Sequence, residues 1–262
     1  DRQAGLALPP VAEVGDEPQA VIGSYLQRYA YPERYKAHEQ RGRRLPEAFE
    51  HATDDAARCV QLRGEYLWSA EGARGLRVYD VASIANKGVS QRIVTAPASP
   101  LGQDTAIPSR DATCVALPTN QPIAFGRNQG DLMRQENQEQ PFHPIYRYAL
   151  VTDAREGLIL TDVDTLADGE PRNNFLKRAL TWNQSDVLDG ARHLTIAGHI
   201  VYVATPKGVV VLDLDEPLKP RLLAVVPIDD VRATALQFRY LFVAARGGLQ
   251  VIDVLLGVVQ DL

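Results

Sequence analysis

Cysteine is scarce in this chain: Cys59 and Cys114 are the only two in 262 residues. They can form at most one internal disulfide and make no C-x-x-C pair, and the C-x-x-C-H motif is absent, so the chain attaches no c-type haem of its own. No run of about 18 apolar residues occurs that could cross a membrane as a helix. The G-x-S-x-G, H-E-x-x-H and Walker-type motifs are also missing, and with them the readable signatures of elbow-type serine hydrolases, zincins and P-loop enzymes. "DVDTLADGE" holds several acids, but a twelve-residue calcium loop would end on a glutamate where Phe175 stands. Neither sign of charge dominates: 28 basic against 33 acidic residues, net −5, argues against a general nucleic-acid binder. The first residue is Asp1 rather than Met, as expected of a processed or partial product, for instance after removal of a signal peptide.

What is present is a repeat. The segments "ARCVQLRGEYLWSA" (57–70), "ARHLTIAGHIVYVA" (191–204) and "VRATALQFRYLFVA" (231–244) align without gaps. Arg58, Arg192 and Arg232 coincide near the start, and Ala70, Ala204 and Ala244 at the end. Each reads as a strand, a tight turn and a more buried strand. A third strand follows: "GLRVYD" from Gly75, "GLILTD" from Gly157, "GVVVLD" from Gly208 and "GLQVID" from Gly248. The intervals of 82, 51 and 40 fit a unit of about 40 residues carrying insertions. "DATCVALP" (111–118) opens the unit whose second strand resumes at Tyr146, so 118–144 reads as an excursion between two strands of one unit.

Outer-strand candidates are "SQRIVTA" (90–96), "KRALTW" (177–182), "RLLAVVPI" (221–228) and "GVVQDL" (257–262). Four strands in about 40 residues, repeated, is the pattern of a β-propeller blade, because one such sheet cannot cover both of its faces alone. The expected fold is therefore all-β: a β-propeller with four recognisable four-stranded blades. These span about 57–111, 112–190, 191–230 and 231–262, preceded by an irregular arm over 1–55.

The motif "YVA-x-x-x-GL-x-V-x-D" followed by spaced prolines, clearest in "VYVATPKGVVVLDLDEPLKP" (201–220) and "YLFVAARGGLQVIDV" (240–254), resembles the LVIVD-repeat β-propellers, a group of bacterial, commonly exported proteins. The resemblance covers about residues 57–254 and carries no catalytic signature. "YAYPERYKAHEQRGRRLPEAFEHATDDAAR" and "ENQEQPFHPIY" resemble a subset whose members accompany multihaem cytochromes. What the resemblance implies is a periplasmic or cell-surface protein with such a cytochrome as partner. Four blades are fewer than most such propellers have, and the last outer strand is cut short, so a fragment or partly observed ring is expected.

The arm concentrates Tyr25, Tyr29, Tyr31 and Tyr35 with Arg28, Arg34, Lys36, Arg41, Arg43 and Arg44. Basic residues among aromatics can grip phosphates and stack bases, but aromatics and arginine are also what protein interfaces favour at their centres. Protein docking is the favoured reading and nucleic acid the disfavoured one. Arg134 and His143, in the Gln/Asn-rich insertion, complete the expected partner-binding set.

The recurring Asp80, Asp162, Asp213 and Asp253 close the third strand of each unit, and repetition at one local position favours turn chemistry over a ring of cation-binding carboxylates. Cys59, Cys114 and His193 share one slot of the first strand; packed, reduced cysteines are expected there rather than a disulfide or metal site. His143 and His199 have no Ser, Cys or carboxylate at useful local spacing. The glycines of "ARGL" and "RGGL" are expected in hairpin turns at positive φ. Trp68 and Trp182 occupy non-equivalent places, unlike the repeated docking tryptophan of quinoprotein propellers. No metal or cofactor is expected. The function expected is a non-catalytic scaffold that docks a protein through the arm and inserted loops. The alternative is a metal-assisted hydrolase or lactonase at the propeller mouth, which would need a His/Asp/Glu cluster that only folding could assemble.

Overall fold

The computed structural model describes residues 57–64, 66–80, 105–168 and 175–254. Its strands form four antiparallel sheets that follow one another as the blades of a β-propeller. Blade 1 comprises β1 (Cys59–Arg63), β2 (Tyr66–Ala70), β3 (Leu76–Asp80) and β4 (Ala106–Ile107). Blade 2 comprises β5 (Ala112–Ala116), β6 (Tyr148–Asp153), β7 (Gly157–Asp162) and β8 (Lys177–Trp182). Blade 3 comprises β9 (His193–Ala197), β10 (Ile200–Thr205), β11 (Gly208–Asp213) and β12 (Arg221–Pro227). Blade 4 shows β13 (Ala233–Gln237), β14 (Tyr240–Ala245) and β15 (Gly248–Asp253). The expected outer strands at 90–96 and 257–262 lie outside the described residues; on the edge of β3 the pairing is instead with β4, Leu76 opposite Ile107.

The blades stack because both faces of a middle blade must be covered. Every residue of β11, Gly208–Asp213, is buried, whereas outer strand β12 is mostly exposed. Three apolar layers fill the three seams. Trp68, Val78, Val115 and Val151 pack between blades 1 and 2. Leu150, Leu160, Val201 and Leu212 pack between blades 2 and 3. Tyr202, Val211, Leu241 and Ile252 pack between blades 3 and 4. Each such side chain contributes roughly 1.5–3 kcal/mol on burial.

Polar stitches run along the same seams. Gly72 and Ala112 exchange both backbone hydrogen bonds, the Gly190 N–H reaches the Ala154 carbonyl, and the Asp230 N–H reaches that of Pro206. The repeated arginine has its explanation here: Arg58 pairs at 2.7 Å with Asp111, in the segment leading into blade 2, and Arg192 with Asp230, in the segment leading into blade 4. Where blade 2 has Thr113 in that slot, its hydroxyl donates to the Ala191 carbonyl, 2.9 Å away.

The glycine opening the third strand is required twice over in blades 1 to 3. Gly75, Gly157 and Gly208 have φ of +79°, +85° and +152°, and a Cβ would meet Ile107 O at 2.0 Å, Trp182 O at 2.7 Å and Val226 O at 2.0 Å. All three contacts are with backbone of, or next to, the outer strand. Gly248, at φ +107°, meets nothing within 4 Å among the described residues.

The expectation for the cysteines is corrected. Cys59 and Cys114 are joined in a disulfide, with Cα atoms 4.7 Å apart. Blades fan out from their inner strands, so equivalent positions that diverge at the rim converge at β1 and β5. The separation assumed for neighbouring blades applies to the rim.

Candidate functional site

The turns after first strands and after third strands lie at one end of each antiparallel blade, and the insertion between β5 and β6 starts from that same end. At this end blades 2 and 4 place an arginine immediately before the second strand, opposite the aspartate that closes the third, whereas the sequence has Glu65 at that place in blade 1. In blade 2, Arg147 holds Asp162, with Nε and Nη2 each 2.9 Å from Oδ2. In blade 4, Arg239 holds Asp253 in the same way. The expected turn chemistry is also present: Asp162 accepts from the Asp164 N–H at 3.1 Å and Asp213 from the Asp215 N–H at 2.8 Å. The Asp80 side chain lies outside the described residues.

Blade 3 departs from this pattern. His199 stands where Arg147 and Arg239 stand, and its Nε2 is 3.9 Å from Asp213 Oδ1. Asp213 instead draws Arg221 from the start of β12. Burial pushes the Asp213 carboxyl up, but the Asp215 N–H, the Arg221 guanidinium and nearby His199 hold it below its ordinary value.

The insertion reaches this point. It leaves β5 after Ala116 and is organised by buried Asn128, whose amide donates to the Gln140 carbonyl at 2.5 Å and accepts from the Phe142 N–H at 3.2 Å. It returns through a 3-10 turn, Pro144–Arg147, anchored by buried Ile145. His143 caps that turn: its Nδ1 accepts the Ile145 N–H at 3.2 Å. Its ring stacks on His199, with centroids 5.6 Å apart and planes 18° from parallel. Its Nε2 lies 3.2 Å from Asp215 Oδ1.

One ligand atom from each of His143, His199 and Asp215 falls within 4.8 Å of the others, and all three side chains reach solvent. Two imidazoles and a carboxylate can share a proton among themselves or hold a divalent transition ion. The sequence reading named His143 but joined it to no partner. The fold supplies Asp215 from the β11–β12 turn and His199 from the β9–β10 turn. The signal that could have found the site is a histidine at 199, in the slot where the flanking units carry Arg147 and Arg239.

Of the other expected contact residues, Arg134 lies in a short helical turn of the insertion, Leu132–Glu136, exposed, with its N–H on the Gly130 carbonyl. Tyr25, Arg28, Tyr29, Tyr31, Arg34, Tyr35, Lys36, Arg41, Arg43 and Arg44 lie outside the described residues.

A second feature is apolar. Strand packing across seams joins β1 and β2 to β5, β5 and β6 to β9, and β9 and β10 to β13, with nothing of that extent between blades 4 and 1 among the described residues. The outward rows of those two blades are correspondingly open: Val60 is 57% and Leu62 58% exposed on blade 1, Leu249 70% and Val251 41% on blade 4.

No family profile matches the chain, and no curated protein matches it. Among solved structures it is similar to the computationally designed Ika4 protein, at 10% identity and a TM-score of 0.46, over 76% of this chain and 91% of that one. It is similar to the designed Ika8 protein at 10% identity and 0.45, over 78% of this chain and 48% of the other. The β-propeller domain of Myceliophteria thermophila Cps50 (Swd1) matches at 12% identity and 0.40, over 75% and 52%. The chain thus spans about half the length of the latter two.

Proposed function

We propose that this propeller is a non-catalytic scaffold that docks a protein partner outside the cytoplasm. The observation that carries the reading is the pair of open apolar rows, Val60 with Leu62 and Leu249 with Val251, on a frame otherwise sealed at its seams. Contiguous exposed apolar surface of this kind marks sites of association. The cross-blade disulfide supports an oxidising compartment, where such bonds form and persist. The partner named by the LVIVD-repeat resemblance is a multihaem c-type cytochrome, with the basic, aromatic arm and the insertion as further contacts. A chain without C-x-x-C-H would hold or shield such a partner and leave electron transfer to it.

The test is size-exclusion chromatography of the protein from its native source under mild conditions, followed by its visible spectrum. A Soret band that co-elutes with this chain, and is lost in a Val60→Ser/Leu62→Ser variant, supports the reading. A colourless monomer overturns it.

A second reading, a metal-assisted hydrolase acting on esters or lactones, is favoured by the convergence of His143, His199 and Asp215. Turnover that a chelator abolishes would select it over the scaffold.

A further inference from the structure

We infer that His143, His199 and Asp215 form a binding site for a divalent transition ion of the zinc class, and that the bound ion pins the insertion of blade 2 to blade 3. The inference rests on neither functional reading above, since a pinning ion serves a scaffold and an enzyme alike.

Three observations carry it. The first is the donor set: two imidazoles and one carboxylate are borderline ligands suited to zinc, cobalt or nickel, and they come from three separate turns. Donors around one tetrahedral ion at about 2.0–2.2 Å lie about 3.3–3.6 Å apart. With Asp215 Oδ1 already 3.2 Å from His143 Nε2, a spread within 4.8 Å closes to that range by a shift of about 1.4 Å at most, which partly exposed side chains can make by rotating. Three protein ligands leave a tetrahedral position for water.

The second is the break in the repeat. In blades 2 and 4 the slot before the second strand is filled by Arg147 and Arg239, each satisfying the strand-closing aspartate. An arginine at 199 would do the same for Asp213. Histidine instead leaves Asp213 to Arg221 and presents an imidazole on the side where His143 arrives.

The third is what the cluster joins. Residues 117–147 are tied back to blade 1 by the Gln61 amide, which reaches Asn120 Oδ1 at 3.1 Å. On the blade 3 side the contact of His143 with Asp215 and His199 is where that excursion meets its neighbour.

The hydrogen bonds set the strength of the site. With Nδ1 accepting the Ile145 N–H, neutral His143 carries its proton on Nε2, facing Asp215. A metal at Nε2 needs a lone pair there, so the ring proton shifts from Nε2 to Nδ1, which can then no longer accept the Ile145 N–H, and that bond opens. Giving up one such bond lowers the affinity about tenfold relative to a site whose histidines already donate from the other nitrogen. Micromolar binding is expected, weaker than that of a closed structural zinc site.

The test uses the full chain without a polyhistidine tag. Zn²⁺ is titrated by calorimetry and Co²⁺ by visible absorption, and trypsin cleavage after Arg127 and Arg134 is followed with and without Zn²⁺. One ion per chain is expected, with a tetrahedral cobalt spectrum and slower cleavage of the insertion when zinc is present. His199→Arg gives blade 3 the arginine that blades 2 and 4 carry in this slot, so it should fold with an unchanged or higher melting temperature yet lose the binding and the zinc-dependent protection. His143→Gln should lose both, while His38→Ala should lose neither. Absence of binding in the wild type, or binding undiminished in His199→Arg, overturns the site. Binding without protection of the insertion overturns the pinning.

Discussion

Breaking the Cys59–Cys114 bond should cost much of the stability of this fold, and the size of the loss can be worked from the chain. The bond closes a loop between residues 55 apart in sequence. Loop-closure entropy for that length corresponds to about 4 kcal/mol at 25 °C, taken from the unfolded ensemble. For a chain of this size that is a fall in melting temperature on the order of 10 °C. The bond also spans a seam, so its loss lets blade 1 part from blade 2 before the rest unfolds. The measurement is a pair of melts, with and without dithiothreitol, beside Cys59→Ser/Cys114→Ser, which should melt like the reduced wild type and not respond to the reductant. Thiols titrated in denaturant without reductant should number close to zero in protein from an oxidising compartment. Two titratable thiols in such protein, or a melt unmoved by reductant, would refute the reasoning, and with it the support the bond lends to an extracytoplasmic location.

Gly208→Ala should destabilise strongly, by about 2–4 kcal/mol from positive-φ strain and the clash with Val226 O, whereas Gly248→Ala should pay only the strain, about 1 kcal/mol; urea melts of the two variants compare them within one protein. Asp153 is buried: burial raises its pKa, but the N–H groups of Asp111, Arg155 and Glu156 and the Ser109 hydroxyl bring it below the ordinary value. Asp153→Ala strands those donors and should cost about 2–4 kcal/mol by chemical denaturation. Because the folded pKa of Asp153 and Asp213 is depressed, their contribution is complete above the unfolded value near 3.8 and disappears as pH falls through the lower folded values, so melting temperatures should drop below about pH 4 and Asp213→Asn should drop less. Burial lowers the pKa of His193, whose Nδ1 faces the Thr234 N–H at 3.4 Å, so the unfolded chain takes up that proton first. Stability should then decline as pH falls from about 6.5, and His193→Gln should flatten that part of the profile.

The fold was legible because propeller blades leave two marks in a chain, a dense third strand and the glycine that opens it. "GVVVLD" is apolar throughout since both faces of β11 are covered, and its glycine cannot carry a Cβ against the outer strand. The positions of β5 to β15 follow from those marks. Blade 1 was read less well: β4 consists of Ala106 and Ile107, two residues paired with Leu76 and Arg77, too short to show any periodicity. The disulfide was missed for a geometric reason, since sequence shows which slot two cysteines share but not how near the axis that slot lies. The repeated Arg58 and Arg192 were visible as a pattern, yet their partners Asp111 and Asp230 lie in the connections to the following blades and become meaningful only once the seams exist.

The candidate site follows the same logic in reverse. In a repeat protein the residues that recur do what every unit needs, and here they are seam arginines, strand-opening glycines and turn aspartates. A residue that breaks the recurrence where its neighbours keep it has given up that shared role. His199 keeps only a 3.9 Å approach to Asp213 where Arg147 and Arg239 make close ion pairs, and Arg221 supplies the close contact instead. The exchange leaves the blade intact and frees one imidazole at the surface. A single such exchange could be neutral drift. It coincides, however, with the arrival of His143 from the longest insertion among the described residues and with Asp215 two residues beyond the turn aspartate, so three independent parts of the chain supply ligands to one point. No step of ordinary blade construction requires that coincidence, which is why His199→Arg is the most discriminating substitution in this protein: it should give blade 3 the pairing of its two neighbours and remove only what that pairing does not need.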